Sequence, residues 1–553
     1  MLQPAIAVSF LLLGILVIPS FFGFGACATD LESNHQHALH NAAEKARYRP
    51  ACPDYKTYST HAHPPSSDGR MALPFQRPAR KCRTFESLAV EEVIETMKGR
   101  MVDHDLARIF ENAFPNTLDT TVRWHVDGRD EKASTKSSDK WQGAQSFIVT
   151  GDINAEWLRD STNQLAQYQV LAKKDTALEK LILGAINTQA EFVIDSPYCN
   201  AFQPPPPSKL PASNNGMNDV VHPVYEPSSV FECKYELDSL AHFLSLSNQF
   251  HSHTGSTAFL TPRWYTALDT LLATLKQQSK PTFDKDGAFQ RNEYTFQRRT
   301  DTGTETLNLA GVGNPLNGGT GLIRSAFRPS DDATILGFLI PSNAMIAVEL
   351  KRTAEMLKKG SSAKANLAAK LDKLAESIRA GVWEHGVVHH KKYGNVFAFE
   401  VDGYGSSILM DDANLPSLLA LPLLGFLDRK DPTYQNTRRM ILDKQGNPYY
   451  LQGRAFKGIG GPHIGLQHAW PMSLLVQAMT SDDDEEIAEA LDYVKGSSLL
   501  GLVHESVDVN HIKGYTRSWF AWANSVFAQT ILDLAKRKPH LIFGAGAEPY
   551  LLE

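Results

Sequence analysis

Five segments of this chain gather residue types that could do acid–base or polyol-binding chemistry. In Tyr235-Glu236-Leu237-Asp238-Ser239-Leu240, acids open an apolar stretch. In Val503-His504-Glu505-Ser506, an acid precedes the aromatic run Arg517-Ser518-Trp519-Phe520-Ala521-Trp522. Isolated carboxyls in apolar company are what hydrolysis of a glycosidic bond needs: one protonated acid for the leaving oxygen and one ionised carboxylate to activate water. The segment 151–161 crowds Asp152, Glu156, Trp157, Arg159 and Asp160 together. A Trp ring can stack on the apolar face of a sugar, and Asp with Arg can hold adjacent hydroxyls. Equally, Asp160 could cap a helix and pair with Arg159 inside the protein. The acid pairs Asp331-Asp332 and Asp411-Asp412, the second followed by Asn414, could cap helices, hold sugar hydroxyls or contribute to a calcium site, which requires six to eight oxygens. Residue types alone leave these alternatives open, and among 61 acids they do not choose the reacting pair.

The elements that must position these groups are helices. Apolar residues recur at i, i+3, i+4 and i+7 in twelve windows: 88–114, 157–172, 176–194, 237–250, 262–275, 333–357, 364–383, 415–426, 434–442, 467–479, 484–499 and 518–534. Strand-like alternation is confined mainly to 288–298 and 396–401. Twelve helices without a sequence repeat predict an all-α fold of six helical hairpins in a ring, an (α/α)6 barrel, with an irregular α-bundle as the alternative. The connections are long and rich in Gly, Trp, Arg and Asp, as in Gly458-Ile459-Gly460-Gly461-Pro462-His463. Such loops on a rigid scaffold commonly carry binding and chemistry. The Pro- and Asn-rich excursion 196–230 is expected to be a lid, a wall of the site or a surface loop.

A chain of 553 residues, 42% hydrophobic and 21% charged, can bury a large core. Its net charge of -6 offers no basic footprint for nucleic acid. Ala5 to Phe24 is nearly all apolar, and Ala26-Cys27-Ala28 has the small-x-small pattern of a cleavage site. Residues 1–28 are therefore expected to be a signal peptide and the protein to be secreted, free of the membrane after cleavage; an uncleaved signal anchor is the alternative. Residues 29–84 are polar and Pro/His-rich, a poorly ordered leader or a surface-wrapping arm, and 85–553 is the expected catalytic domain. The histidines at 35, 37, 40, 61 and 63 fit no closed metal site by spacing. Four cysteines follow the signal, and Cys199 with Cys233 is the expected disulfide, closing the 196–230 excursion; free buried thiols are the alternative.

Taken together, the segments resemble glycoside hydrolase family 125, the exo-α-1,6-mannosidases. The resemblance rests on GDINAEWLRDS (151–161), YELDSL (235–240), FRPSDDA (327–333), LMDDAN (409–414), GIGGPH (458–463), VHES (503–506) and TRSWFAWANS (516–525), in this order. It implies an (α/α)6 barrel, release of terminal α-1,6-linked mannose from an oligosaccharide or an N- or O-glycan with inversion, and no metal or other cofactor. It places the general acid on Asp238 and the general base on Glu505. The substrate-holding positions it implies are Arg159, Asp160, Asp332, Asn414 and His463, beside Trp157 and Asp331 of the same blocks. Two residues depart from the pattern: Glu156 replaces an apolar residue and Gly461 replaces Ser, both expected to tune the rim of the site.

Overall fold

The computed structural model describes residues 52–128, 139–358 and 362–552. One compact unit begins at Asp54 and includes the remainder of the chain. Among the described residues twelve helices run nine residues or longer: α1 (Leu88–Arg100), α2 (His104–Ala113), α3 (Leu158–Ala166), α4 (Thr176–Asp195), α5 (Leu237–Thr254), α6 (Pro262–Gln278), α7 (Ile340–Leu357), α8 (Ser362–Gly386), α9 (Pro432–Ile441), α10 (Pro471–Met479), α11 (Asp484–Ser497) and α12 (Ala521–Arg537). The described strands form only two- and three-stranded antiparallel sheets.

Two kinds of helix are distinguished by their burial. In α8 the buried residues Ala368, Leu371, Ala375, Ile378 and Val382 follow a 3-4-3-4 spacing, a single apolar stripe against the core. In α5 every residue from Leu237 to Asn248 is buried, and the first halves of α7, α10 and α12 are equally enclosed. These central helices pack on one another: α3 on α5 and α12, α5 on α7, and α10 on α12. The peripheral helices lie against them, α4 on α5, α8 on α7, α11 on α10 and α2 on α12.

The two sets also begin differently. Six of the peripheral helices start on a polar side chain that accepts from the first backbone N–H groups: Ser87, Asp103, Asp175, Thr261, Asp431 and Asp483. The central helices α3, α5, α7, α10 and α12 start on Trp157, Glu236, Leu339, Trp470 and Phe520, none of which caps through its side chain. Instead, short strands lead into α3 (Glu156–Trp157), α7 (Phe338–Leu339) and α10 (His468–Ala469), each strand belonging to a three-stranded sheet. Those sheets fix the approach of the chain to the helix ends.

Several windows differ from expectation for identifiable reasons. The window 88–114 divides because Met101 turns extended and Asp103 caps a fresh start. The helix expected from 333 begins at Ile340, since Phe327 and Ala333 pair across a turn. In 415–426 only Leu421–Leu424 is helical; Pro416 and Pro422 restrict the backbone there. The 288–298 window contributes one strand, Thr295–Gln297, and 396–401 lies across two, Gly394–Phe397 and Glu400–Val401.

Residues 54–84 belong to the compact unit. Tyr55 is buried, donates to the Gln76 carbonyl at 2.7 Å and meets Trp519 edge-on at 4.9 Å. Arg77 forms a buried ion pair with Asp119 and a half-buried one with Glu91. His63 stacks on Tyr58 at 3.6 Å. The proposed signal peptide lies outside the described residues. Cys199 and Cys233 are joined by a disulfide.

Candidate active site

The pocket that gathers the chemistry is lined by residues from six segments, among them Trp157, Arg159 and Asp160 at the start of α3, Asp331, Asn414, His463, Glu505, Arg517, and the rings of Trp470, Phe520 and Trp522. Its volume is about 60 Å³. The uncapped ends of α3, α10 and α12 thus supply its aromatic walls. The indole N–H groups of Trp157 and Trp522 are buried and have no partner within the protein, which leaves them as donors for a bound polyol.

The 503–506 segment is held by α12. The Asn524 amide donates to the Val503 carbonyl and its oxygen accepts from the Val503 N–H, both at 3.0 Å. This leaves Glu505 at the pocket wall, where the Arg517 Nε–H donates to its Oε1 at 3.1 Å. Arg517 also pairs with Asp152, and it occupies the left-handed region with φ of 51°, a conformation held where surrounding contacts over-determine it. The His504 Nδ1–H donates to the Arg517 carbonyl at 3.2 Å, and the ring stacks on Tyr515 at 3.8 Å; burial lowers its pKa to about 4, so it remains neutral. Gly151 allows the 150s to reach this wall. At φ of 146° it bridges to Phe520, and a Cβ there would stand 3.1 Å from the Trp519 carbonyl.

The sequence Arg328-Pro329-Ser330-Asp331 folds as a tight turn in which the Asp331 N–H donates to the Arg328 carbonyl at 2.9 Å. Proline at the second position presets that turn. Asp331 then takes φ of 69°, a region Asp tolerates better than most residues. Arg328 anchors the turn through Glu400 at 2.6 Å. The Asn200 amide, next to the disulfide, lies 3.1 Å from both Asp331 Oδ1 and Glu236 Oε1. Arg159 donates to Glu236 at 2.6 Å and to Asp238 at 3.1 Å, and its guanidinium is 3.8 Å from Asp331. Burial pushes the Asp331 carboxyl up, but Lys234 and Arg159 outweigh it and hold the group below the usual carboxylate range. Glu236 goes the other way: burial, helped by Asp331 and Asp238, exceeds the pull of Arg159 and lifts its pKa well above the ordinary value.

The structure brings Glu505, Trp157, Arg159, Asp160, Asp331, Asn414 and His463 to one pocket. It does not bring Asp238 there. Asp238 has no exposure, lies against Arg159 and is absent from the pocket lining. Burial raises its pKa, as expected for an acid in apolar company, but the enclosure is complete. Asp332 also stands off the pocket wall, close to the Ser330 hydroxyl at 3.0 Å, with burial raising its pKa to about 6. Asp160 lines the pocket, accepts from Thr150 and is raised by burial to about 6. Asp411 and Asp412 organise backbone: Asp411 accepts from Leu418 and Leu419, and Asp412 accepts from the Asn414 N–H and side-chain amide at 3.1 Å. Glu156 is not at the rim. It is fully buried and accepts from the Ile148 N–H at 3.0 Å. Gly461 backs onto Asp412, where a Cβ would meet a carboxylate oxygen at 3.0 Å. Sequence reasoning passed over Glu236 and Asn200; the Glu-x-Asp spacing in YELDSL was the available signal for the first.

Aromatic walls, unpartnered indole donors and carboxylates held by arginines define a site suited to hydrolysing a sugar linkage. Residues 103–532 match the family described as metal-independent alpha-mannosidase, GH125. The meiotically up-regulated gene 157 protein of Schizosaccharomyces pombe is 56% identical over 494 residues, 89% of this chain and 94% of that protein. A metal-independent α-mannosidase of Streptococcus pneumoniae, solved in a non-productive complex with α-1,6-mannobiose, superimposes with a TM-score of 0.71 at 32% identity, over 81% of this chain and 99% of that one. The chain belongs to the GH125 family of metal-independent α-mannosidases.

Proposed function

We propose that the protein removes single non-reducing terminal α-1,6-linked mannose residues from glycans, by one displacement with inversion, in an (α/α)6 barrel whose inner helices are α3, α5, α7, the turn at Leu421–Leu424, α10 and α12. The linkage is supported by the α-1,6-mannobiose bound to the pneumococcal relative. Exo action is supported by a pocket of about 60 Å³, space for roughly four to six waters at ~10–15 Å³ each, the scale of one pyranose ring.

The observation that carries the mechanism is that Glu505 and Asp331 both reach the pocket wall, each held by its own partners. Glu505 is the base: it lines the pocket, Arg517 fixes one of its oxygens, and the carboxylate takes the proton of the attacking water. Asp331, rather than the Asp238 that the family resemblance suggested, takes the acid post, because a proton donor must touch the leaving oxygen and Asp238 is sealed behind Arg159. Trp157, Asp160, Asn414 and His463 hold the sugar. The disulfide is in keeping with the expected secreted location, and N-terminal sequencing of secreted protein starting at Thr29 would support cleavage after Ala28.

Glu505→Gln should abolish turnover of both α-1,6-mannobiose and a dinitrophenyl α-mannoside, since water attack is always required. Asp331→Asn should lose at least tenfold more on mannobiose than on the aryl mannoside, whose leaving group needs no proton. NMR should show β-mannose first. If Asp238→Asn shows that selectivity and Asp331→Asn does not, the acid is Asp238. Initial α-mannose would mean retention.

A further inference from the structure

An acid at Asp331 meets a difficulty in its own surroundings. Arg159 and Lys234 favour its ionised form, and an ionised carboxylate has no proton to give. The neighbouring Glu236 resolves this. Its Oε1 and the Asp331 Oδ1 are each 3.1 Å from the same Asn200 amide nitrogen, so the two carboxyls sit side by side, each acting on the other's titration. Glu236 is 1% exposed. Two carboxylates this close do not both ionise readily, so the pair retains one proton.

We propose that Glu236 is a positioning residue of the hydrolysis, holding through its contact with Asp331 the proton that Asp331 delivers to the leaving oxygen. The inference rests on the reading of Asp331 as the acid. As the C1–O bond breaks, the pair's proton passes from Glu236 to Asp331 and on to the leaving oxygen. A water oxygen bonds to C1 and its proton goes to Glu505. Exchange with solvent then removes the proton from Glu505 and restores one to the pair.

The groups facing Glu236 suit this cycle. Arg159 on α3 contacts Oε2 at 2.6 Å, and the Ser239 hydroxyl of α5 donates to the same oxygen at 3.1 Å. Asp238 shares Arg159 at 3.1 Å. Lys234 stands near, itself 3.4 Å from Glu232, which Arg298 holds at 2.9 Å. Tyr294 closes the back, its hydroxyl accepting from the Tyr235 N–H at 3.0 Å. When the pair has given up its proton, Arg159 and Lys234 face the two carboxylates. Both Asn200 and Lys234 adjoin a disulfide cysteine, and the Lys234 N–H donates to the Asn200 side-chain oxygen at 3.1 Å, so the bridge holds this framework together.

The test is Glu236→Gln in the full-length enzyme, assayed from pH 4 to 9 on α-1,6-mannobiose and on the dinitrophenyl α-mannoside. The expected result is a loss at least tenfold larger on mannobiose. The alkaline limb of kcat/KM for mannobiose should also move at least one pH unit lower, because Asp331 alone keeps its proton less well. Glu236→Asp should recover part of both effects. Equal losses on the two substrates with an unmoved alkaline limb would overturn the proposal. If Glu236→Gln does not fold, Asn200→Ala gives the same comparison: a smaller shift in the same direction supports the proposal, and none overturns it. Absence of leaving-group selectivity in Asp331→Asn would instead remove the underlying reading of the acid.

Discussion

Glu156 offers a measurement of what a buried acid does to this fold. Its carboxyl has no exposure and accepts one backbone hydrogen bond, from Ile148, while Oε1 lacks a partner in the protein. Burial raises its pKa from 4.5 to about 8, so the folded protein keeps it neutral. The unfolded chain releases that proton near pH 4.5. Between 4.5 and 8 unfolding therefore expels a proton, and raising the pH favours the unfolded state by about 1.4 kcal/mol per unit. The stability contributed by the neutral acid is complete below pH 4.5 and lost progressively up to pH 8; about 3 kcal/mol is gone by pH 7. Glu156→Gln keeps the shape and the acceptor for Ile148 but removes the titration. Urea unfolding of both proteins at pH 5, 6 and 7 should show the variant gaining on the parent by about 1.4 kcal/mol for each unit. The pH-dependent slope is the decisive quantity, because any fixed cost of the amide N–H groups shifts every pH equally. A difference that does not change between pH 5 and 7 would refute the reasoning and mean that Glu156 is ionised in the folded protein.

Three further outcomes follow from the same geometry. Arg517→Ala should lower kcat on both mannosides by about 100-fold or more, a scale typical of removing one oriented charged contact; loss of KM alone would reassign Arg517 to sugar binding. Cys199→Ala with Cys233→Ala opens a loop of 34 positions and should cost about 3–4 kcal/mol by urea unfolding, with a greater loss of turnover on mannobiose than on the aryl mannoside because Asn200 and Lys234 flank the bridge. His242, whose pKa burial lowers from 6.5 to about 3, contributes stability above pH 6.5 that is lost as the pH falls toward 3. His242→Gln should therefore show a shallower acid decline between pH 6 and 4, by about 1.4 kcal/mol per unit; parallel declines would contradict this.

The legible parts of the fold were those where one physical constraint governed a long run. The stripe Ala368, Leu371, Ala375, Ile378 and Val382 on α8 repeats a single face, and periodicity finds it. The boundary between α1 and α2 escaped because Met101 and Val102 continue the apolar pattern while the backbone turns. The paired strands at the mouths of α3, α7 and α10 are two residues each, too short for alternation to register. At the site, the seven blocks carried the residue types, but depth is not written in a local pattern. Asp238 and Glu236 stand in the same short block, and only the placement of Arg159 and Asn200 seals one from the pocket and joins the other to Asp331. The turn that presents Asp331 was partly readable in Pro329, whereas a helix beginning near Ala333 hid it.

The contrast in helix starts gives the molecule separable territories for durability and chemistry. Hydroxyl and carboxylate caps secure the periphery at Ser87, Asp103, Asp175, Thr261, Asp431 and Asp483. The openings of α3, α10 and α12 are given to Trp157, Trp470 and Phe520, which wall the pocket. An engineer who installed Ser or Asp at those three positions could gain about 1 kcal/mol at each helix and would remove the surface on which a sugar lies. Strengthening the periphery carries no such conflict. A lineage built this way can vary the mouths of its central helices, and so its choice of glycan, while the outer helices keep the protein folded.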